Sequence, residues 1–420
     1  MELIIEDIRS FVGKHTIPIK PLTLLTGENS SGKSTLLASL AVVSDPYSFP
    51  LNPRFNDPPY SLGNYDTIAT FKGGRYSRAK SFSVGYKQAG KKSGEQVAHY
   101  VSNQGLLELS SVVAKQDNNE AVLKFFSKES EPCIEIRAVH EGEPYGPTTV
   151  PYDPIARLNR LGSLIYFGLF SLLQKENKQR NAKDTKIIRQ LLSMFDQDVQ
   201  KALSIAPIRI KPRRTYDEIT EDFSPEGEHI PFVLSNLLDQ ESTRATVERF
   251  GVESGLYTKL DVKRLGKQLS DPTQVMVTGS SRAVNLIDVG YGVSQVLPVI
   301  VQSILATPQT LLLVQQPEVH LHPRAQAALG SLFADLVVKG GKQFVVETHS
   351  DYIIDRVRME VAKGTIRAED VGILYLEKCG FETSVHQLEL SENGDILNAP
   401  PSYRAFFLQE ELNLFNRAER

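Results

Sequence analysis

Apolar and polar positions follow three rhythms along this chain, and their order predicts its organisation. The first is a set of short apolar runs of strand length: Leu3-Ile4-Ile5, Thr16-Ile17-Pro18-Ile19 and Leu22-Thr23-Leu24-Leu25-Thr26. Thr35 to Ala41 then reads as a helix, and the Pro-, Ser- and Asn-rich run from Asp45 to Asp57 as a loop. From about 80 to 150 the second rhythm is strict alternation, as in Ser81 to Tyr86 and Cys133 to Arg137, broken by Gly, Asn and Lys; this predicts antiparallel strands and hairpins. From about 155 to 204 the period becomes helical, with Ile187, Ile188, Leu191, Leu192 and Phe195 on one face. The run Leu161 to Leu173 is shorter than the about 20 residues of a membrane span and reads as a buried helix.

Residues 205–275 are mixed, with Pro207, Pro212, Pro225 and Pro231 marking turns. From about 283 to 375 strand and helix alternate in the manner of a parallel sheet. Val296 to Leu305 is a helix, Thr310 to Val314 a strand, Pro323 to Val338 a helix, and Gln343 to Glu347 the next strand. A hairpin-like pair ends near Leu388, and Ala405 to Phe415 predicts a last helix. No heptad stretch is long enough for coiled-coil arms. The expected fold class is α/β, with an insertion of β then α between two parts of one domain: 1–75, then the insertion 76–205, then 206–375, and a small extension at 376–420.

Chemistry enters first at Gly27-Glu28-Asn29-Ser30-Ser31-Gly32-Lys33-Ser34, which has the spacing GxxxxGK[ST] between an expected strand and an expected helix. Gly27 and Gly32 let the backbone turn so that N–H groups, with those of Asn29, Ser30 and Ser31, face a triphosphate at a helix N-terminus. Lys33 would reach the β- and γ-phosphates, Ser34 would offer its hydroxyl to Mg²⁺, and Thr35 is a lesser polar contact. ATP and Mg²⁺ are the expected cofactors.

Three later stretches define the rest of such a site. Leu311 to Glu318 is an apolar strand ending in Gln315, Gln316, Pro317 and Glu318; Gln343 to Ser350 is another, ending in Glu347, Thr348 and His349. Ligands in open α/β sheets bind at the carboxyl ends of strands, so both polar ends would face one crevice. Asp288 to Gln295, with Gly290, Gly292 and Ser294 before the expected helix, is a second anion-binding device. One nucleotide cannot easily use both devices from one chain, which implies a head-to-tail dimer.

Composition narrows this little. The 420 residues are 41% hydrophobic and 23% charged, with a net charge of −3, which argues against coating nucleic acid or membrane by bulk charge. Cys133 and Cys379 stand far apart, so neither a disulfide framework nor a zinc site is expected, and the acidic start of the chain is unlike a signal peptide. A cytoplasmic setting without membrane contact is expected.

Taken together, Gly27 to Ser34, Gly290 to Gln295, Gln315 to Pro323 and Thr348-His349-Ser350 resemble the Walker A, signature, Walker B with D-loop, and switch-histidine motifs of soluble ATP-binding-cassette-like ATPases. That group includes overcoming-lysogenization-defect ATPases, RecF-like proteins and the ATPase subunits of anti-phage systems such as Septu and PARIS. Ser61 to Tyr65, Ala206 to Arg209, Arg213 to Tyr216 and Asn393 to Pro400 resemble a subgroup with an uncharacterised C-terminal extension. The resemblance implies an ABC-type P-loop head with a mixed sheet, in which two heads sandwich two ATP molecules. It gives Ser294 the γ-phosphate of the other head's ATP and His349 the sensing of the γ-phosphate; His320 and His322 read as motif and packing residues.

The sequence departs from that pattern where it matters. Relatives carry a carboxylate directly after the apolar strand, and here Gln315 takes the place of the one that holds Mg²⁺ and Gln316 that of the general base. An amide positions water but takes no proton at neutral pH. Two explanations compete: an engineered Glu→Gln change that traps ATP, favoured by a lone charge-removing swap in an intact motif, or a natural slow ATPase in which Glu318 or Glu347 supplies the carboxylate. The expected activity is ATP hydrolysis, slow or trapped, in an anti-phage switch whose toxic chemistry, such as a nuclease, belongs to a separate effector. The alternative is a RecF-like ATPase binding DNA through Lys72, Arg75, Arg78, Lys80, Lys87, Lys91 and Lys92 or through Lys175, Lys178, Arg180, Lys183, Lys186 and Arg189. No Ser-His-Asp, HNH or paired-carboxylate cluster stands out. Arg209, Arg213 and Arg214 read equally well as phosphate contacts or as surface ion pairs.

Overall fold

In the computed structural model the short apolar runs form strands whose pairing follows their buried faces. The structure describes residues 1–74, 77–88, 93–129, 131–151, 182–195, 199–217, 222–268, 271–405 and 409. The strands of the first part are β1 (Glu2–Ile8), β2 (Phe11–Pro18), β3 (Leu22–Gly27), β4 (Ser81–Gln88), β5 (Gly94–Asn103), β6 (Leu106–Gln116), β7 (Asn119–Lys128), β8 (Glu131–His140) and β9 (Glu143–Pro151). Those of the second are β10 (Ala202–Ile205), β11 (Lys259–Arg264), β12 (Thr273–Thr278), β13 (Ala283–Asn285), β14 (Leu311–Gln315), β15 (Gln343–Glu347), β16 (Val371–Cys379) and β17 (Glu382–Leu388). The helices are α1 (Lys33–Val43), α2 (Tyr65–Ile68), α3 (Ala182–Ser193), α4 (Ile230–Asp239), α5 (Glu241–Ser254), α6 (Tyr291–Leu305), α7 (Pro323–Gly340) and α8 (Asp351–Ala362). Two units result: Met1–Ile19 with Thr35–Lys201, and Lys20–Ser34 with Ala202–Arg420.

The first unit holds an eight-stranded antiparallel sheet in the order β2-β1-β4-β5-β6-β7-β8-β9. β1 pairs with β4 from Glu2↔Lys87 to Glu6↔Ser83, so the N-terminal hairpin and the alternating segments of 80–150 share one sheet. Alternation along β4 buries Phe82, Val84 and Tyr86. The phenols that this burial carries inward are satisfied: Tyr86 donates to Gln96 Oε1 and Tyr100 to Pro50 O, both at 2.7 Å. On α3, Ile187, Ile188 and Leu191 are buried as their spacing predicts.

The same register assembles a cluster that sequence inspection missed. Glu6, Ser83 and His99 stand in one cross-strand row, with Ser83 Oγ 2.7 Å from His99 Nδ1 and 3.3 Å from a Glu6 oxygen. Ser83 is only 2% exposed while Glu6 and His99 are half-buried, so the row works as a polar bridge across β1, β4 and β5. Of the basic residues, Lys72 pairs with Asp7 (2.7 Å), Lys87 with Glu2 (3.2 Å), and Arg78 lies over the Phe71 ring. The run Leu161 to Leu173, Arg75, Lys91, Lys92, Lys175, Lys178, Arg180, the Lys183 side chain and most of the expected last helix lie outside the described residues. No helix among the described residues is long and apolar enough to cross a membrane.

The second unit has a mixed six-stranded sheet, β10-β14-β15-β3-β16-β17, parallel except for β17. Its central strands are apolar throughout because both faces are covered: Leu311 to Val314 and Phe344 to Val346 are buried, as are Leu329 and Phe333 of α7 and Ile353 and Val357 of α8. A three-stranded antiparallel sheet, β11-β12-β13, completes it. The fold is thus mixed α/β with a phosphate-type loop at the end of a central parallel strand.

Three local expectations change. Pro231 lies in the first turn of α4, where its missing N–H is no loss. α6 starts at Tyr291, five residues before the expected Val296, because Gly290 caps it; Ser294 and Gln295 are helical. The hairpin near Leu388 is part of the main sheet, since β16 pairs with β3 as far as Leu376↔Gly27.

Candidate functional site

β3 runs between β15 and β16 and delivers Gly27 at its carboxyl end. Gly27 has φ +142°, a region open only to glycine, and a Cβ there would collide with the Leu376 carbonyl on β16. Gly32 (φ +96°) and Ser30 (φ +62°) complete the turn. The loop is tied to the sheet by Thr383 Oγ1, which donates to Ser31 O at 3.0 Å. Asn29, Ser30 and Ser34 are exposed, whereas Ser31 is buried and its hydroxyl has no hydrogen-bond partner. Lys33 Nζ donates to Gly27 O (2.9 Å) and Glu28 O (2.6 Å), closing the loop on itself. Burial lowers the pKa of this ammonium, against the pull of Glu347 and Glu28.

The carboxylate beside this loop comes from β15. Parallel registers align Glu347 with Leu25 on one side and Gln315 on the other. Ser34 Oγ lies 3.4 and 3.3 Å from the two Glu347 oxygens, and Gln315 Nε2 donates to Glu347 Oε2 at 3.2 Å. Gln315 Oε1 is buried without a partner. Turning the amide round would set that oxygen against the carboxylate, so the observed orientation is the favourable one. Sequence inspection held Glu347 only as an alternative to Gln315. The signal was an acidic residue closing an apolar strand two places before His349.

Gln316 turns the chain away from β14 with φ +43°, its N–H donating to Glu347 O at 2.8 Å. Arg209 holds this turn: Nη2 donates to Gln315 O (2.9 Å) and Gln316 O (3.1 Å). At 3% exposure it is no surface ion pair, and burial brings its pKa down to about 10, with Glu318 opposing. Arg214 makes a surface pair, with Asp288 at 2.6 Å. Glu318 Oε1 accepts the His349 N–H at 2.6 Å, while Oε2 is buried and unpartnered. Burial raises the Glu318 pKa more than the His349 N–H, its own backbone N–H, Thr348 and Arg209 lower it. Burial and then Lys33 lower the pKa of His349, which keeps the ring neutral at pH 7.

Lys33, Ser34, Gln315, Gln316, Glu318, Glu347 and His349 are therefore brought to one end of one sheet. Ser294 and Thr35 are not joined to them. Ser294 Oγ donates to Tyr291 O at 2.8 Å within the first turn of α6, where the Tyr291 ring meets His320 edge-on at 5.3 Å. Thr35 belongs to the other unit, where Arg9 Nη1 donates to its hydroxyl at 3.5 Å. His322 caps α7, its Nδ1 accepting from Arg324 N at 3.3 Å. A cavity of about 260 Å³ opens elsewhere on the second unit, and four of its charges pair within the wall, Arg249 with Asp335 (2.8 Å) and Lys363 with Glu360 (3.2 Å).

A family model described as an AAA ATPase domain matches residues 85–354, more than half of the chain. The chain belongs to the AAA ATPase domain family. The matched span of this AAA ATPase domain protein includes Ser294, Gln315, Gln316, Glu318, Glu347 and His349 and begins after the phosphate loop. A comparison with curated proteins gives no match. Among solved structures, the chain is similar to an SMC head bound to the C-terminal winged-helix domain of ScpA (11% identity, TM-score 0.43, 93% of this chain and 98% of that one). It is also similar to an SMC head domain from Thermotoga maritima (11%, 0.37, 93% and 98%). A third is a Pyrococcus furiosus SMC head with an extended coiled coil bound to the C-terminal domain of ScpA (10%, 0.42, 100% and 99%).

Proposed function

We propose that this AAA ATPase domain protein is an ABC-like head that binds ATP with Mg²⁺ and closes head-to-tail with a second copy. It would act as a nucleotide-controlled sensor or scaffold for a separate effector in cytoplasmic anti-phage defence. The observation that carries this is the convergence of Lys33, Ser34, Glu347 and His349 at the carboxyl ends of adjacent parallel strands, where phosphate-binding chemistry belongs. Gly27, Asn29, Ser30, Ser31, Gly32, Lys33 and Ser34 would cradle the phosphates, and Thr35 would lie at the edge. The oxygen donors fit Mg²⁺: a serine hydroxyl, a carboxylate and an unpartnered amide oxygen.

Dimerisation is supported by Ser294, whose helix N-terminus stands beside the D-loop and makes its hydrogen bond within its own turn. The γ-phosphate of a second head would be its ligand. Hydrolysis is slow because Gln316 is no base; Glu318, whose Oε1 accepts the His349 N–H and whose pKa burial raises, is the carboxylate that would take the proton in its place. Glu347 beside Ser34 supports a natural slow ATPase over an engineered trap.

The experiment is the mass of the full chain in solution with and without Mg·ATP. The expected result is a doubling on ATP that Ser294→Arg abolishes without loss of nucleotide binding, and that Lys33→Ala abolishes with it. Identical masses under saturating ATP would sink the dimer; equal ATP affinity for Lys33→Ala would sink the site.

A further inference from the structure

We infer that Glu347, at the end of β15, supplies the protein carboxylate to the divalent cation of the nucleotide, with Gln315 as its neutral companion rather than as a disabled metal ligand. This rests on the nucleotide reading above and goes further, because it moves the metal carboxylate from β14 to the neighbouring strand. Three observations carry it.

Glu347 is 4% exposed, and the partners of its oxygens are neutral: the Ser34 hydroxyl at 3.3–3.4 Å and the Gln315 amide at 3.2 Å. The nearest ammonium, Lys33, directs its hydrogen bonds to the loop carbonyls of Gly27 and Glu28. Lys33 thus acts on the carboxylate only through space, and a buried carboxylate whose hydrogen-bond partners are all neutral has room for a directly bound cation. Second, the atoms around it are hard oxygen donors. Mg²⁺ in nucleotide sites takes one or two protein oxygens and completes its shell with phosphate and water. Among the described residues no group of three His, Cys, Asp or Glu competes for it.

Third, the amide at 315 is what a carboxylate at 347 requires. Gln315 Nε2–H points at Glu347 Oε2, which leaves Oε1 buried and unsatisfied on the same side chain, free for the cation or its water. A glutamate at 315 would place two carboxylates about 3 Å apart, and like charges that close drive one of them to protonate. The pair Gln315 and Glu347 thus carries one negative charge, distributed on the opposite strand from the usual arrangement.

The test uses the full chain and a fluorescent ATP analogue, titrated in EDTA and in Mg²⁺, with Mn²⁺ electron paramagnetic resonance as a second readout. The unaltered chain is expected to bind at least about tenfold tighter with Mg²⁺. Glu347→Gln should lose that gain to within about twofold and bind more tightly than the unaltered chain in EDTA, since the carboxylate no longer repels the triphosphate. Glu347→Asp should keep part of the gain, Gln315→Glu alone should lower it, and the exchange Gln315→Glu with Glu347→Gln should restore it. An undiminished Mg²⁺ gain in Glu347→Gln, or a larger gain in Gln315→Glu alone, overturns the assignment and leaves the nucleotide site standing. Failure of the unaltered chain to bind the analogue even in Mg²⁺ overturns both. Should Glu347→Gln not fold, an undiminished gain in Glu347→Asp with no loss in Gln315→Glu overturns it equally.

Discussion

Replacing Gly27 by alanine ties the loop geometry to both stability and binding. At φ +142° the backbone sits where a side chain costs about 1–3 kcal/mol, and the new Cβ must also push away the Leu376 carbonyl of the paired strand β16. Overpacking of that kind adds about 1–3 kcal/mol, for a sum of about 2–6. At about 2–4 °C per kcal/mol for a unit of this size, the melting transition of the second unit should fall by roughly 5–20 °C. Gly380→Ala is the control: it lies in the β16–β17 turn of the same unit at φ +65° with nothing within 4 Å of a Cβ. Only the left-handed backbone term of about 1–2 kcal/mol remains there. Scanning calorimetry separates the two variants, and titration with ATP should show Gly27→Ala weakened by more than about tenfold, about 1.4 kcal/mol, with Gly380→Ala unaffected. Equal melting shifts for both would refute the collision with β16 as the reason for glycine.

Arg209→Met removes the donor to one buried and one half-buried carbonyl, at up to about 1–3 kcal/mol each. It also removes a buried charge whose pKa burial brings down to about 10 against the pull of Glu318, a net cost of about 3 kcal/mol. The two oppose each other, so chemical denaturation should register a net change below about 3 kcal/mol; a loss above about 5 would mean that Arg209 carries more than this turn. His229, 3% exposed, accepts the Ser224 N–H on Nδ1 and contacts Gln302 through Nε2, and burial lowers its pKa despite that contact. The unfolded chain therefore takes up the proton first, so stability is full above the unfolded value of 6.5 and is lost as pH falls through the folded one. Melting temperatures between pH 7.5 and 5 should fall less in His229→Gln than in the unaltered chain; identical slopes would contradict this. Gln316→Glu places a base at the end of β14, and since general bases contribute about 10²–10⁴-fold, phosphate release should rise well above the unaltered chain. No rise would mean that Gln316 does not face the attacking water.

Much of the site was legible because its residues are local. The glycine spacing from Gly27 to Ser34 dictates a loop whatever surrounds it, and the apolar runs ending at Gln315 and Glu347 announce buried parallel strands. What was misread shows where locality ends. Arg209 reads equally well in the sequence as a phosphate contact or a surface ion pair, because burial is not written in a Pro-rich segment; the pairing of β10 with β14 is what carries the chain following β10 under the turn at Gln316. The row of Glu6, Ser83 and His99 escaped notice because its members are 77 and 16 residues apart and meet only through strand register.

The phosphate loop remains the feature that sequence alone determined, since a tight turn between strand and helix is a property of consecutive residues. Which carboxylate stands beside it was decided only in three dimensions. The sequence offers Glu318 and Glu347 equally, and the neutral pair at 315 and 316 suggests a missing charge. Placing β15 between β14 and β3 sets Glu347 against both Ser34 and Gln315, because side chains at matching register positions of adjacent parallel strands point the same way. The charge that looked lost from one strand is present on the next.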